Sequence, residues 1–140
     1  MEKIISFAIP CYNSSEYMSK CIDLLVQVGD EIEVLIIDDG STKDNTFEVA
    51  KEFENKYPTI VRAIHQENKG HGGAVNTGLA NATGKYFKVI DSDDWANTED
   101  VLTLLNYIKN NKEDVDLNVT NYVYEKLYEN TSYSVTYEKY

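Results

Sequence analysis

Basic residues are scarce in this sequence. Its 140 residues include 13 lysines and arginines against 24 aspartates and glutamates, which gives a formal net charge of −11 at pH 7. Nucleic acids and anionic membrane surfaces bind proteins through basic residues, so this balance argues against both as partners. A small anionic ligand is still compatible with the composition, because it needs only one or two local cations and a bound metal ion.

Long apolar runs and clustered cysteines are missing as well. No stretch approaches the about 20 apolar residues of a membrane span, and the N-terminus lacks the layout of a secretory signal. Cys11 and Cys21 form neither a CxxC pair nor a metal-ligand cluster, so we predict two reduced, apolar thiols. These absences favour a cytoplasmic protein.

Between residues 4 and 110, apolar runs alternate with amphipathic helical patterns. Such runs are typical of strands that are covered on both faces of a parallel sheet, and they predict strands at residues 4–9, 34–37, 60–64 and 86–90. Pro10 is expected to end the first strand, and Asn13 with Glu16 resembles a capping box that starts the first helix. The alternation predicts an α/β fold with a mostly parallel sheet.

The last part of the sequence has a different character. Residues 115–140 are rich in tyrosine, and Leu117, Val119 and Val123 alternate with polar residues. This pattern predicts one or two strands, in an antiparallel pair if there are two, with a turn near Asn130. The length suits one domain, so we expect a single domain over residues 1–140 with its core at about residues 4–110.

An acidic run, Asp91-Ser92-Asp93-Asp94, directly follows the predicted strand at residues 86–90. Like charges this close destabilise each other unless a cation lies between them, and hard divalent cations prefer oxygen ligands. The run could also be a solvated lead-in to a helix, but its place after a strand favours a metal site. Asp93 is the best candidate ligand, Asp91 would assist it or bind a ribose, and Asp94 would orient the others.

A second acidic pair, Asp38-Asp39, follows the predicted strand at residues 34–37. It could be an ordinary turn in which Ser41 or Thr42 caps the next helix. Alternatively, one carboxylate accepts hydrogen bonds from a base or a ribose. An aspartate facing the imide N–H of uracil would select uridine over cytidine, whose equivalent nitrogen has no hydrogen.

The segment at residues 68–73 contains three glycines and precedes a predicted helix. Glycines let the backbone approach a ligand, the helix N-terminus favours anions, and Lys69 could neutralise a diphosphate oxygen. The segment matches neither a P-loop nor a dinucleotide fingerprint. We interpret His71 as a surface residue, His65 as structural and Trp95 as a core residue in preference to a sugar contact.

All these motifs follow predicted strands, and ligands of parallel sheets bind beyond the carboxyl ends of the strands. Together they resemble family 2 glycosyltransferases over about residues 4–105. The motifs are Ile9-Pro10-Cys11-Tyr12-Asn13, Ile37-Asp38-Asp39-Gly40-Ser41-Thr42, Asn68-Lys69-Gly70 through Asn76-Thr77-Gly78, and Asp91-Ser92-Asp93-Asp94. The resemblance implies a GT-A fold, a Rossmann-like three-layer sandwich. It also implies an inverting hexosyltransferase that uses a nucleotide-diphospho-sugar, most often a UDP-sugar, with Mg²⁺ or Mn²⁺.

The resemblance implies roles for the donor site. The nucleotide-sugar-binding residues would be Pro10, Tyr12, Asp39, Lys69, Asn76, Asp91 and Asp93. Pro10 and Tyr12 would line the base pocket, Asp39 would hydrogen-bond the base, and Asp91 and Asp93 would form the metal-binding DxD pair. Lys69 would face the diphosphate.

One position departs from the family. Asn76 lies where the family often has Arg-Asn, and Val75 replaces that arginine. A direct cationic phosphate contact from this helix is therefore not expected.

A further departure concerns the acceptor side. In the family, the acceptor-binding half and its general base lie downstream of the DxD motif, whereas this sequence continues only from Asp94 to Tyr140. We therefore expect a donor-binding part of a longer transferase, truncated at its C-terminal side, with the base beyond Tyr140 and little transfer of its own. A glycan or lipid-linked acceptor in surface-glycan synthesis, a peripheral position at the inner membrane face and self-association are further expectations.

Two other functions fit parts of the pattern. A phospho-receiver domain also places an acidic pair and a later aspartate around Mg²⁺, but there the glycine-rich segment would have no role. A non-catalytic module that only binds a nucleotide-sugar would keep the same motifs. A nucleotidyltransferase is disfavoured, because residues 9–13 lack the glycine- and basic-rich loop expected after its first strand.

Overall fold

Four parallel strands form the sheet in the computed structural model, which describes residues 2–111, 122–126 and 131–135. The strands are β1 (Ile5–Cys11), β2 (Ile32–Asp39), β3 (Val61–Gln66) and β4 (Tyr86–Val89), in the order β3-β2-β1-β4. β1 pairs with β2 over its whole length and with β4 over its first four residues. The chain divides into two compact units, residues 1–110 and 111–140, and this sheet belongs to the first.

Helices cover both faces of this sheet, as predicted. They are α1 (Met18–Val26), α2 (Thr46–Lys56), α3 (Gly70–Asn81) and α4 (Thr98–Asn110). Buried side chains of α1, α2 and α4 share one core with β1 and β2, and α3 packs on the opposite face through Ala74. Among the described residues, no helix combines the length and apolar character needed to cross a membrane.

The apolar runs produce the two central strands. Ile9, Leu35, Ile36 and Ile37 are completely buried, since alternate residues of β1 and β2 face the two helical layers. Each such side chain contributes about 1.5–3 kcal/mol of burial free energy. The i, i+3, i+4, i+7 spacing of Met18, Cys21, Ile22 and Leu25 predicts one apolar helical face, and the structure confirms it, because all four residues are 0% exposed.

The first strand does not end at Pro10, which corrects the sequence-based boundary. β1 continues to Cys11, and Pro10 pairs in register with Ile37 of β2. The backbone carbonyls of Ile4 and Ala8 accept hydrogen bonds from Tyr86 N and Ile90 N, on the β4 side of β1. Because the backbone groups of alternate residues in a strand point to the same side, those of Pro10 also point toward the β4 side. β4 has ended before it reaches Pro10, and the missing N–H therefore costs no ladder bond.

The first helix begins later than its predicted capping box. α1 starts at Met18 after a turn in which Ser14 O accepts from the backbone N–H groups of Tyr17 and Met18. Asn13 lies in the left-handed region with φ 50°, and its side chain accepts from Thr42 and Lys43 instead. The prediction that Asn13 caps α1 was wrong, because contacts to another loop determine its side chain.

The glycine-rich segment is mostly helical. α3 begins at Gly70, so Gly72 and Gly73 lie in its first turn, not in a loop before it. A Cβ at Gly78 would lie 2.7 Å from the Cβ of Ala8 in β1, so glycine allows α3 to approach the sheet closely. This approach brings the N-terminus of α3 to the carboxyl edge of the strands.

The second unit contains two strands, β5 (Tyr122–Lys126) and β6 (Thr131–Val135). They pair antiparallel, with Tyr124 opposite Tyr133, as predicted for the tyrosine-rich part of the sequence. The expected turn at Asn130 and the alternating Leu117 and Val119 lie outside the described residues.

Candidate donor-binding site

The predicted motifs meet at one edge of the sheet. β1, β2, β3 and β4 run in the same direction, so the segments that follow Cys11, Asp39, Gln66 and Val89 all begin at their carboxyl ends. β1 lies between β2 and β4, so the strands that carry the two acidic motifs are two strand spacings apart, about 10 Å across the sheet.

The acidic pair forms the last two residues of β2, and it is buried and hydrogen-bonded. Asp38 is 1% exposed, and its carboxylate accepts from Ser41 N at 3.1 Å and lies 2.7 Å from His65 Nδ1. Asp39 is 4% exposed, and its Oδ1 accepts from Lys69 N at 2.7 Å and from Gln66 Nε2 at 2.9 Å. Both carboxylates are therefore held in one orientation before any ligand arrives.

The loops after β1 and β2 are tied to each other. Asn13 N donates to Ser41 Oγ at 2.9 Å, and Asn13 Oδ1 accepts from Thr42 N at 3.2 Å and from Lys43 N at 3.1 Å. Tyr12, directly before Asn13, is 52% exposed at this edge. The ties fix the backbone next to Tyr12, whose side chain remains half exposed.

Gly40 is required where β2 meets α3. Its φ is +75°, and a Cβ there would lie 2.7 Å from the backbone nitrogen of Asn68. Asn68 in turn donates from Nδ2 to the carbonyl of Asp39 at 3.0 Å. A side chain at position 40 would therefore push away the segment that carries Lys69.

The N-terminus of α3 faces the acidic run after β4. Lys69 precedes the helix and is exposed, and His71 Nε2 lies 4.0 Å from Asp91 Oδ1. His71, which the sequence suggested was only a surface residue, is thus beside the predicted metal ligands. Asn76 is exposed in the middle of α3, and no hydrogen bond or ion pair among the described residues joins it to the acidic motifs.

Three carboxylates come together in the acidic run. Oxygen atoms of Asp91, Asp93 and Asp94 lie within 4.8 Å of one another, and all three residues are exposed. A backbone hydrogen bond from Asp94 N to Asp91 O, 2.9 Å long, closes the turn. Partial burial, together with the charges of Asp93 and Asp91, raises the pKa of Asp94 above its ordinary value. Oxygen ligands in this arrangement suit a hard divalent cation.

Residues within and next to the acidic run contact α1 and the segment between β1 and α1. Ser92 Oγ donates to Ser14 Oγ at 3.0 Å, and Lys20 Nζ lies 3.6 Å from the centroid of the Trp95 ring. Trp95 therefore makes a cation–π contact with a helix of the core layer.

Cys11 and Cys21 are free, buried thiols, as predicted, and burial raises the pKa of Cys21 to about 12.

Three residues near the site were missed or given no functional role by sequence reasoning: His65, Gln66 and Thr77. His65 and Gln66 end β3 and contact Asp38 and Asp39 in register, and Thr77 on α3 donates to Gln66 Oε1 at 2.5 Å. Their position in the sequence could have indicated a role for His65 and Gln66, because polar residues at the end of one parallel strand lie beside the end of the neighbouring strand.

The mostly parallel sheet, with helices on both faces and an acidic turn at the carboxyl edge of its strands, is the fold of GT-A glycosyltransferases, which confirms the predicted fold class. The sequence matches the profile of glycosyl transferase family 2 over residues 6–139. The chain therefore belongs to glycosyl transferase family 2, as its motifs indicated.

Named relatives and a solved structure agree with this assignment. The chain is 36% identical over 124 residues to the glycosyltransferase GlyG of Streptococcus pneumoniae, covering 87% of this chain and 40% of GlyG. It is 34% identical over 117 residues to the poly(ribitol-phosphate) beta-glucosyltransferase of Bacillus spizizenii, covering 81% of this chain and 18% of that enzyme. Staphylococcus aureus TarS 1-349, in complex with UDP-GlcNAc, superposes with a TM-score of 0.67 at 27% identity, over 76% of this chain and 31% of TarS 1-349. The chain thus spans less than half the length of each.

Proposed function

We propose that this chain binds the sugar donor, a UDP-sugar with a divalent cation, for an inverting hexosyltransferase. The observation that carries the proposal is that Asp39 and the Asp91–Asp94 turn follow parallel strands at the same edge of the sheet, with only β1 between those strands. TarS 1-349, a similar structure, is a complex with UDP-GlcNAc, which supports a UDP-sugar as the ligand class.

The base would lie at the β2 end of the edge. Asp39 presents a fixed carboxylate, whose Oδ1 is occupied by two protein N–H groups, so Oδ2 would accept the imide N–H of uracil. Tyr12, which is half exposed, and Pro10 at the end of β1 would line the base pocket. Cytosine would be disfavoured, because its ring nitrogen would face the same carboxylate without a hydrogen.

The diphosphate would lie at the β4 end. Asp93 and Asp91, joined by Asp94, would hold Mg²⁺ or Mn²⁺, which would neutralise charge on the departing nucleoside diphosphate. Lys69 stands before the N-terminus of α3 and would contact a diphosphate oxygen, where the helix dipole also favours anions. Asn76, farther along α3, is the least supported member of the predicted set.

The acceptor and the transfer step belong to the complete protein in this proposal. A relative named poly(ribitol-phosphate) beta-glucosyltransferase supports a glycan acceptor of the bacterial surface. The reaction would take place in the cytoplasm, with the complete protein at the inner face of the membrane when the acceptor is lipid-linked. The chain described here contributes the donor site, and the general base is proposed to lie downstream of it.

Calorimetric titration of UDP tests the proposal. Wild type is expected to bind UDP more tightly with Mn²⁺ than with EDTA, and Asp93→Ala is expected to lose the Mn²⁺-dependent part. Asp100→Ala removes another exposed aspartate from the start of α4, outside the acidic turn, and should behave as wild type. If wild type binds UDP neither with Mn²⁺ nor with EDTA, the proposed function is contradicted.

A further inference from the structure

The hydrogen bonds around Asp39 extend to two residues that have no role in the proposal so far, Gln66 and Thr77. Gln66 Nε2 donates to Asp39 Oδ1 at 2.9 Å, and Lys69 N donates to the same oxygen at 2.7 Å. Within the part of the chain that the structure describes, Oδ2 accepts no hydrogen bond. The carboxylate is therefore oriented with one oxygen bound to the protein and one left for a ligand.

The side-chain amide of Gln66 is itself held in one direction. Thr77 Oγ1 donates to Gln66 Oε1 at 2.5 Å, and the same hydroxyl lies 3.1 Å from the carbonyl of Gly73 within α3. A glutamine amide has one accepting end and one donating end. The Thr77 hydroxyl occupies the accepting end, so the NH₂ group is kept on Asp39. A reversed amide would place an oxygen of Gln66 against an oxygen of Asp39.

We propose that Gln66 and Thr77 are positioning residues that set the preference for uracil over cytosine. This inference rests on the proposed function, in which Asp39 Oδ2 accepts the imide N–H of the base. Rejection of cytosine depends on a carboxylate that cannot turn away from the unprotonated ring nitrogen. The Thr77–Gln66–Asp39 chain supplies that constraint from α3 and β3, and neither Gln66 nor Thr77 needs to touch the ligand.

Matched variants separate this role from ordinary stabilisation. Thr77→Val removes the hydroxyl with little change of shape, Thr77→Ser keeps it, and Gln66→Met removes both ends of the amide. Thr103→Val is the control, because Thr103 Oγ1 donates to a helix carbonyl, Glu99 O at 3.0 Å, on α4. This control removes a threonine hydroxyl from another helix, away from Asp39.

The measurement is the ratio of the dissociation constants for CDP and UDP in Mn²⁺, with the thermal midpoint of each variant. We expect Thr77→Val and Gln66→Met to lower the ratio at least about threefold, the loss of one net hydrogen bond. Thr77→Ser and Thr103→Val are expected to keep the wild-type ratio. A similar fall in thermal midpoint for both threonine-to-valine variants would show that lost stability does not cause the lost preference.

The outcomes against the inference are distinct from those against the proposed function. Wild-type ratios in Thr77→Val and Gln66→Met, with a lowered ratio in Asp39→Asn, would show that Asp39 reads the base unaided and would overturn the inference alone. Equal affinity of wild type for UDP and CDP, or an unchanged ratio in Asp39→Asn, would overturn base recognition by Asp39 and the inference with it.

Discussion

The two acidic motifs of the site balance their charge in opposite ways. Asp38 and Asp39 are 1% and 4% exposed, and backbone or side-chain groups of the protein hydrogen-bond both oxygens of Asp38 and Oδ1 of Asp39. The carboxylates of the acidic turn formed by Asp91, Asp93 and Asp94 are exposed and lie within 4.8 Å of one another. His71 is beside them, with Nε2 4.0 Å from Asp91. The protein itself balances the buried pair, whereas the exposed cluster is suited to a cation from solution.

This contrast indicates that the buried aspartates contribute mainly to folding stability and the exposed ones mainly to ligand affinity. A buried, hydrogen-bonded carboxylate contributes to folding, because its removal leaves unsatisfied N–H donors. Exposed carboxylates that repel one another contribute to ligand affinity at a small cost in stability. The comparison can therefore be tested by measuring folding free energies of single variants in each motif.

The largest effect is expected for Asp38→Ala. Loss of this carboxylate leaves the Ser41 N–H and the His65 ring without their partner, so the free energy of unfolding should fall by about 2–3 kcal/mol. Urea denaturation measures the change. Asp23→Ala, at an exposed position of α1, is the control, and an equally small effect in both variants would break the proposed contrast.

A third buried carboxylate, that of Glu33, extends the comparison to the amino end of the sheet. It is 4% exposed and accepts from Ser6 Oγ at 2.6 Å and from Thr83 N at 2.5 Å. Burial opposes its ionisation, but these hydrogen bonds outweigh burial and hold its pKa below the ordinary value of 4.5. The charged form is therefore the one that the fold stabilises.

The pH dependence of Glu33→Gln follows from that direction. Because the folded pKa is lowered, the stabilisation is present above pH 4.5 and is lost as the pH falls through the lower folded value. Wild type should exceed the variant by about 1–2 kcal/mol at pH 7, and the difference should shrink toward pH 3. Glu52→Gln, an exposed change of the same charge, is the control. A difference that is constant with pH would contradict the assignment.

The smallest effect is expected for Asp94→Asn. The raised pKa of Asp94 means that its charge destabilises the folded, metal-free protein. Since Asp94 is exposed and the repulsion is screened, the variant should be more stable in EDTA by only a few tenths of a kcal/mol. Its stabilisation by Mn²⁺ should be smaller than that of wild type. Urea denaturation in EDTA and in Mn²⁺ measures the free energies of unfolding of both proteins. A variant that is less stable than wild type by more than about 1 kcal/mol in EDTA would contradict the interpretation of the acidic turn as an exposed, repulsive cluster.

Local patterns predicted the elements well wherever a period or a neighbour in sequence decides the structure. The apolar face of α1 and the alternation of strands and helices follow from such patterns, and the asparagine directly before α4 is a residue type that favours the start of a helix. Asn97 Oδ1 accepts from Asp100 N at 3.2 Å, as a helix cap does.

Predictions failed where a distant segment decides. Asn13 was predicted to cap α1 but binds the loop after β2, and Pro10 was expected to end a strand that continues because β4 is shorter than β1. The roles of Gln66 and Thr77 were invisible for the same reason, since residues 39, 66 and 77 are brought together only by the sheet and α3.

The sequence by itself determined the α/β class, the family and the acidic motifs, because hydrophobic period and short motifs are properties of neighbouring residues. Only the tertiary structure decided which carboxylates are buried and which are exposed, and which side chains orient Asp39. Burial and hydrogen bonding depend on strand order and on the close approach of α3 to β1. These are relations between residues far apart in the chain, and they arise only when the parallel strands align their carboxyl ends.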